Sequence, residues 1–373
     1  MLSFWERESF SSYDLIVIGA GITGLSTAAS FKEKHPGASV LVIERGTLPS
    51  GASTKNAGFA CFGSISELAQ DRKALGDEGM VSLVNRRWSG LQKTIRRLGE
   101  PNIGLIKQGG FELLKPATDY YLDEIDGLNT LLEPLFKKPV FSNASDQLQH
   151  FGFGQTSSLV FNQYEAQLHT GKLMKSLWQY CGQHGVQMIT GTKVQQLNET
   201  ETGTTVTTDN FTFTAKAVAV CTNAFTPELI KDPLNIQPGR GMVLLVKPDA
   251  PLPFRGTFHY DEGYYYFRDF EDKIIFGGGR NQAIDQEKTT DFGINEVIEK
   301  KLLQDLKEVI LPQTAYEIEM KWSGIMAFGD TKAPIVKKLA SGQYLGARLG
   351  GMGVALGSLI GEELATQISQ DHF

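Results

Sequence analysis

An α/β fold with a second domain built on an antiparallel sheet is what this 373-residue sequence predicts. Three observations carry the expectation. An apolar run, Leu15 to Ile18, meets a turn patterned Gly19, Gly21, Gly24 and a helix of small residues, and a second apolar run, Val40 to Ile43, follows. That order reads strand, turn, helix, strand. Beyond Pro227 the texture changes to alternating aromatic and aliphatic runs, FHYDEGYYYFRDFEDKIIFGGGR above all, which read as antiparallel strands. The length suits two such domains at roughly 150 residues each.

Charge and composition narrow the classes of function. Lys and Arg number 36 against 42 Asp and Glu, a net charge of -6, so no basic surface invites nucleic acid or an anionic membrane. With 41% hydrophobic and 21% charged residues the chain can build a large core, and disorder is not expected. Cys61, Cys181 and Cys221 form no CxxC and no cluster with His, so neither disulfides nor a metal site is predicted. A reducing, cytoplasmic setting fits. The start carries Glu6, Arg7 and Glu8 where a secretory signal needs a basic and then an apolar stretch. Leu15 to Phe31 is uncharged, but its glycines and hydroxyl residues keep it below the hydropathy of a membrane span.

The elements follow in chain order. In GAGITG the first glycine permits a tight turn, the second lets the backbone approach a pyrophosphate, and the third allows the helix to close on the strand. Glu44, twenty residues past Gly24, ends the second strand, where a carboxylate accepts from the adenosine ribose hydroxyls; Arg45 follows it. An acid there argues against a 2'-phosphate and leaves NAD or FAD. The segment Gly51 to Gly63, GASTKNAGFACFG, is small and polar, and its Ser53, Asn56, Ala57 and Gly58 suit a backbone lying along a diphosphate and a planar ring. Between Gly63 and Leu98 the apolar spacing predicts one or two amphipathic helices; residues 102–146 mix short β-like runs with polar helical ones. A helix from His169 to Gly182 precedes VQMIT and a Thr-rich meander that turns at Asp209 and Asn210 and enters the buried strand Ala217 to Cys221. Asn295 to Ile310 reads as a helix, and the chain closes with a short strand, a glycine loop and a helix, QYLGARLGGMGVALGSLIGEELATQI.

On these residues the chain resembles, through nearly its whole length, the D-amino-acid-oxidase-like family of FAD-dependent amine oxidoreductases, which includes glycine and sarcosine oxidases. Further stretches agree. TKVQQL resembles the segment whose backbone, at Val194, meets the adenine, and AVAVCTNAFTPEL the strand and turn beside the dinucleotide, with Cys221 and Thr222 where Thr-Gly is commoner. QPGRGMVLLV resembles the return into the substrate domain. Gly351, Met352, Gly353 and Val354 match the last flavin-binding loop and helix, whose N-terminus would stabilise reduced flavin. The resemblance implies a glutathione-reductase-like arrangement. Its Rossmann FAD-binding domain would be discontinuous, from residues 1–75, 164–226 and 331–373, and its antiparallel-sheet substrate domain would come from 76–163 and 227–330.

It also implies oxidation of a C–N bond in a small amine or amino acid, with hydride passing to flavin N5 and oxygen or another acceptor taking the electrons. One departure stands out. Many amino-acid-oxidising members carry an Arg two residues after the Gly of Trp-x-Gly, and WSGIMAFGD has Met326 there, which cannot grip a carboxylate. Either the substrate lacks a carboxylate there or another cation grips it; Arg348, just before the GGMG loop, is the first substitute expected and Arg280 the second. Strand alternation pairs Tyr264 with Tyr266 on one face and Tyr265 with Phe267 on the other, and Tyr266 is assigned to the substrate face. His259 is a proton acceptor or a structural histidine. With no Cys or His in WSGIMAFGD or ARLGGMG, FAD is expected to be non-covalent. Two alternatives stay open: a dehydrogenase of a 2-hydroxy acid or alcohol using His259 as base, and a non-catalytic flavin protein.

Overall fold

The computed structural model describes residues 3–201, 203–340 and 342–373. Strands Ser12–Ile18 and Val40–Ile43 pair in parallel, with Leu15 opposite Val40, and helix Ile22–Lys34 connects them. The sheet they start runs, edge to edge, Ile335–Ala340, Gln343–Ala347, Thr212–Val220, Ser12–Ile18, Val40–Ile43 and Val186–Ile189. The last five strands of that order are mutually parallel, and in that order only the edge strand Ile335–Ala340, absent from the sequence expectations, is antiparallel. The meander Val194–Thr200 and Gly203–Thr208 hangs from Thr212–Val220.

Alternation along the strands divides the core. Leu15, Val17, Val40, Val42, Ala217 and Ala219 join the helices on one side, while Ile16, Ile18, Leu41, Ile43, Val218 and Val220 join the meander on the other. The final helix, Gly353–His372, packs on Ile22–Lys34 and on the long helix Ile65–Leu98, which breaks at Gly76 with φ 74°. The contact with Ile22–Lys34 is close enough to require glycine: a Cβ at Gly361 would stand 2.6 Å from Ser26 Cβ.

The second sheet has eight strands, in the order Tyr316–Phe328, Gln237–Pro248, Lys273–Gly278, Tyr265–Phe270, Thr257–Tyr260, Gly110–Leu114, Ser158–Asn162 and Phe141–Asn143. It is antiparallel except at one joint, where Thr257–Tyr260 runs parallel to Gly110–Leu114. That joint is where the two sequence segments contributing to the sheet meet. A stack of Phe111, Phe258 and Phe267, with ring centroids 5.2 and 4.7 Å apart, fills its core side. Among the described residues no helix is long and apolar enough to cross a membrane.

Candidate cofactor and substrate cleft

A cleft of ≈ 600 Å³ lies between the C-terminal ends of the parallel strands and one face of the second sheet. Ligands of open α/β sheets bind at such strand ends. Gly19 turns the chain there with φ 100°, and a Cβ at Gly24 would meet the Gly19 carbonyl at 1.9 Å, so only glycine lets the helix start this close. Glu44 is buried and tied to the turn. Its Oε2 accepts from the Ala20 N–H and its Oε1 from the Gly46 N–H, both at 2.9 Å, while the carboxylate still lines the cleft.

The loop after the second strand is held by its own side chains. Ser53 Oγ accepts from the Ile22 N–H at 2.9 Å, and Asn56 Oδ1 accepts from the Gly58 N–H and the Thr170 hydroxyl, both at 2.9 Å. Arg45 stacks 3.7 Å over the Phe225 ring beside Glu228. Gly19, Gly21, Glu44, Arg45, Ser53, Asn56, Ala57, Gly58, Val194, Thr222, Gly351, Met352, Gly353 and Val354 all line this one cleft, and Gly24 stands just behind it. Neither helix Ile22–Lys34 nor helix Gly353–His372 is capped by the side chain of its own N-cap residue; Ser53 takes the first N–H of the former, and both positive ends face the cleft.

Arg268 is the organising residue that the sequence did not reveal. It is buried, and it donates from Nε to the Ala57 carbonyl at 2.5 Å, from Nη1 to Gln167 Oε1 at 2.8 Å and from Nη2 to the Leu168 carbonyl at 3.1 Å. Burial pulls its guanidinium down to about 10. The available signal was strand alternation, which puts Arg268 on the same side as Tyr264 and Tyr266.

Tyr264 and Tyr266 line the cleft, whereas Tyr265 and Phe267 are in the core at 1% and 0% exposure. Burial pushes the Tyr266 hydroxyl up to about 12. Its cross-strand partner His259 also reaches the cleft, and the Phe59 ring lies 5.0 Å from His259 and 5.6 Å from Tyr266. His259 Nε2 and Glu165 Oε1 are 2.5 Å apart, both buried. Burial alone would lower the imidazole, but the charge and hydrogen bond of Glu165, with Glu67 and Glu112 farther off, raise it to about 9. The ring is therefore an imidazolium at neutral pH. Cys61 joins this pair, with donor atoms of all three within 4.8 Å of one another, a grouping invisible in positions so far apart in sequence. Burial, then Glu165 and Glu67, push its thiol well up, so it stays protonated.

The structure corrects the first choice of carboxylate-binding cation. Arg348 sits at φ 62° and turns away from the cleft: Nη1 donates to the Asn235 carbonyl at 3.0 Å, Nη2 to the Ala333 carbonyl at 2.9 Å and to Thr331 Oγ1 at 3.2 Å. With Nε also donating to the Ala333 carbonyl at 3.1 Å, these acceptors tie the 331–333 loop to Asn235 and occupy four of the five N–H donors. Arg280, the second choice, does line the cleft, as does Met326.

The family model described as FAD dependent oxidoreductase matches residues 14–367. The chain belongs to that family. Among solved structures it is similar to glycine oxidase from Geobacillus kaustophilus, at 19% identity over 97% of this chain and 96% of that one, with TM-score 0.78. It is similar too to L-proline dehydrogenase from P. horikoshii (17% identity, 97% and 95% covered, TM-score 0.76) and to iminodiacetate oxidase from Chelativorans sp. BNC1 (18% identity, 96% and 95% covered, TM-score 0.75). A search of curated protein sequences found no match. This FAD dependent oxidoreductase has a cradle that fits its family's cofactor: glycines where a Cβ would block the backbone, a carboxylate at the strand end and two helix N-termini facing the cleft.

Proposed function

We propose that this oxidoreductase oxidises a C–N bond of a small amine or amino acid. The observation that favours an amine over a hydroxy acid is the contact of His259 Nε2 with Glu165 Oε1, 2.5 Å apart. Alcohol oxidation would need a base to take the hydroxyl proton, and His259 is already charged and held by Glu165. A neutral amine can lose hydride without such a base.

Glu44 and the Gly19 to Gly24 turn would hold the adenosine and diphosphate end, with Arg45, Ser53, Asn56 and Val194 around it. Ala57, Gly58, Thr222 and the Gly351 to Val354 loop would border the flavin. Bound FAD would supply the two-electron acceptor, taking a hydride at N5 from the carbon that bears nitrogen. The N–H groups at the start of Gly353–His372 would favour the added negative charge, and Tyr266 and Phe59 would shape the wall against which the substrate lies. The imine then hydrolyses in water, and oxygen or another acceptor reoxidises the protein. Protonated Cys61 and His259 are poor nucleophiles, which supports non-covalent FAD, and three buried free cysteines support a cytoplasmic setting. The division into an FAD domain (1–75, 164–226, 331–373) and a substrate domain (76–163, 227–330) is part of the same reading.

The test is an absorption spectrum of the purified protein followed by anaerobic titration with D-amino acids, N-methyl amino acids, polyamines and 2-hydroxy acids. Bleaching of the flavin bands by an amine class is expected. Bleaching by hydroxy acids alone would overturn the reading, and colour that stays in an acid-precipitated pellet would overturn non-covalent binding.

A further inference from the structure

We propose that Arg280, standing on the ring of Phe328, is the carboxylate-binding group of this protein, so that its substrate is an amino acid rather than a simple amine or polyamine. The inference rests on the cleft being the substrate site and adds to it the group that decides what enters.

The strand register carries the argument. Gly239 pairs with Met326, and Phe328 lies two residues further along the same strand and so on the same face. Gly239 has no side chain in the way: a Cβ there would lie 2.4 Å from Phe328 Cε2 and 3.7 Å from Arg280 Cδ. The missing Cβ thus makes room for the Phe328 ring, and the Arg280 guanidinium rests on that ring, 4.2 Å from its centroid. Arg280 comes from the end of strand Lys273–Gly278, yet it delivers its charge to the strand that carries Met326. The cation missing at Met326 is supplied from the end of the next strand but one, across Gln237–Pro248, and a thioether occupies the Met326 place.

Arg280 is also free to act. Among the described residues its guanidinium has neither a hydrogen-bond acceptor nor an ion-pair partner; its contact is the aromatic face, which leaves its N–H donors without a protein acceptor. The nearby acid Glu287 is taken. Arg240 donates to both of its oxygens, at 2.8 and 2.9 Å, and Asn295 adds a third bond at 2.8 Å. Burial holds the Arg280 guanidinium below its ordinary value, and the opposing charges of Tyr264 and Glu287 do not make up the loss. Tyr264 stands beside it on the cleft wall, so a carboxylate could accept from the guanidinium edge with a phenol alongside. By contrast four of the five N–H donors of Arg348 are held by protein acceptors.

Titration of the purified holoprotein with acetate, and with acetamide as its uncharged counterpart, tests this by calorimetry and by the flavin difference spectrum. Wild type should bind acetate saturably and acetamide at least about tenfold more weakly, the scale of hydrogen bonds to a charged group. Arg280→Met should lose about tenfold or more of the acetate affinity, and Arg280→Lys should fall between. The double variant Arg280→Met with Met326→Arg, which restores a cation beside Gly239, should recover binding. Thermal unfolding of each variant checks that it folds, and Arg280→Gln replaces any that does not. Equal affinity for acetate and acetamide, or undiminished acetate binding in Arg280→Met, would overturn the assignment. A colourless protein would instead remove the flavin reading, and the calorimetric comparison would still decide Arg280.

Discussion

Replacing Glu165 by Gln should remove most of a pH dependence of stability that the wild type carries at His259. In the folded protein the imidazole is raised from 6.5 to about 9, because burial, which opposes its charge, is outweighed by the charge and hydrogen bond of Glu165 2.5 Å away together with Glu67 and Glu112. The difference of about 2.5 units, at 1.36 kcal/mol each, is on the order of 3 kcal/mol. Since the folded value is the higher one, this stabilisation is fully present below about pH 6.5 and disappears as pH rises through about 9. In Glu165→Gln only burial and the more distant acids act on the ring, so the window loses most of its slope and the variant is less stable than wild type mainly at its acid end. Urea unfolding at both ends of the window reads the stability. Selective labelling of the six histidines, with His259→Asn for assignment, reads the titration itself. A His259 that titrates below 6.5 in the wild type would refute the reasoning, and with it the argument against a neutral histidine base.

Other outcomes follow from single contacts. Gly24→Ala places a methyl 1.9 Å from the Gly19 carbonyl, and should cost on the order of 1–3 kcal/mol while weakening FAD binding; retained affinity with an unchanged Tm would contradict the packing. Arg268→Met strands the Ala57 and Leu168 carbonyls and Gln167 in a buried site, and at about 1–3 kcal/mol for each lost acceptor bond it should lower the melting temperature by several degrees, measurable by calorimetry. Glu44→Ala removes the acceptor of two backbone N–H groups and should reduce FAD affinity by about tenfold or more; an unaltered dissociation constant by fluorescence titration would show that this carboxylate does not hold the adenosine end.

The cofactor half of the site was legible because its signals are local. Gly19, Gly21, Gly24 and Glu44 sit within one βαβ unit, where a tight turn, a close helix and a carboxylate at a strand end each restrict residue type independently of the rest of the chain. The same holds for the glycine loop before Gly353–His372. The face of the Tyr264 to Phe267 strand followed from its period of two, which also carried the overlooked clue to Arg268. The edge strand Ile335–Ala340 escaped notice, since its lysines fit an exposed edge and mask the apolar alternation.

Which arginine faces the cleft was beyond the sequence. Arg280 and Arg348 both follow glycine-rich or strand-end segments, and spacing does not distinguish them. The left-handed backbone of Arg348 and the carbonyls of Asn235 and Ala333 turn it outward, while the opening left by Gly239 and the Phe328 ring draw Arg280 in. The charge on His259 likewise depends on Glu165, brought to it only when the second sheet closes. Motifs fix backbone conformation through short-range sterics, so one stretch of chain suffices to read them. The direction and ionisation of a side chain depend on whichever distant residues fold against it, and these only the tertiary structure supplies.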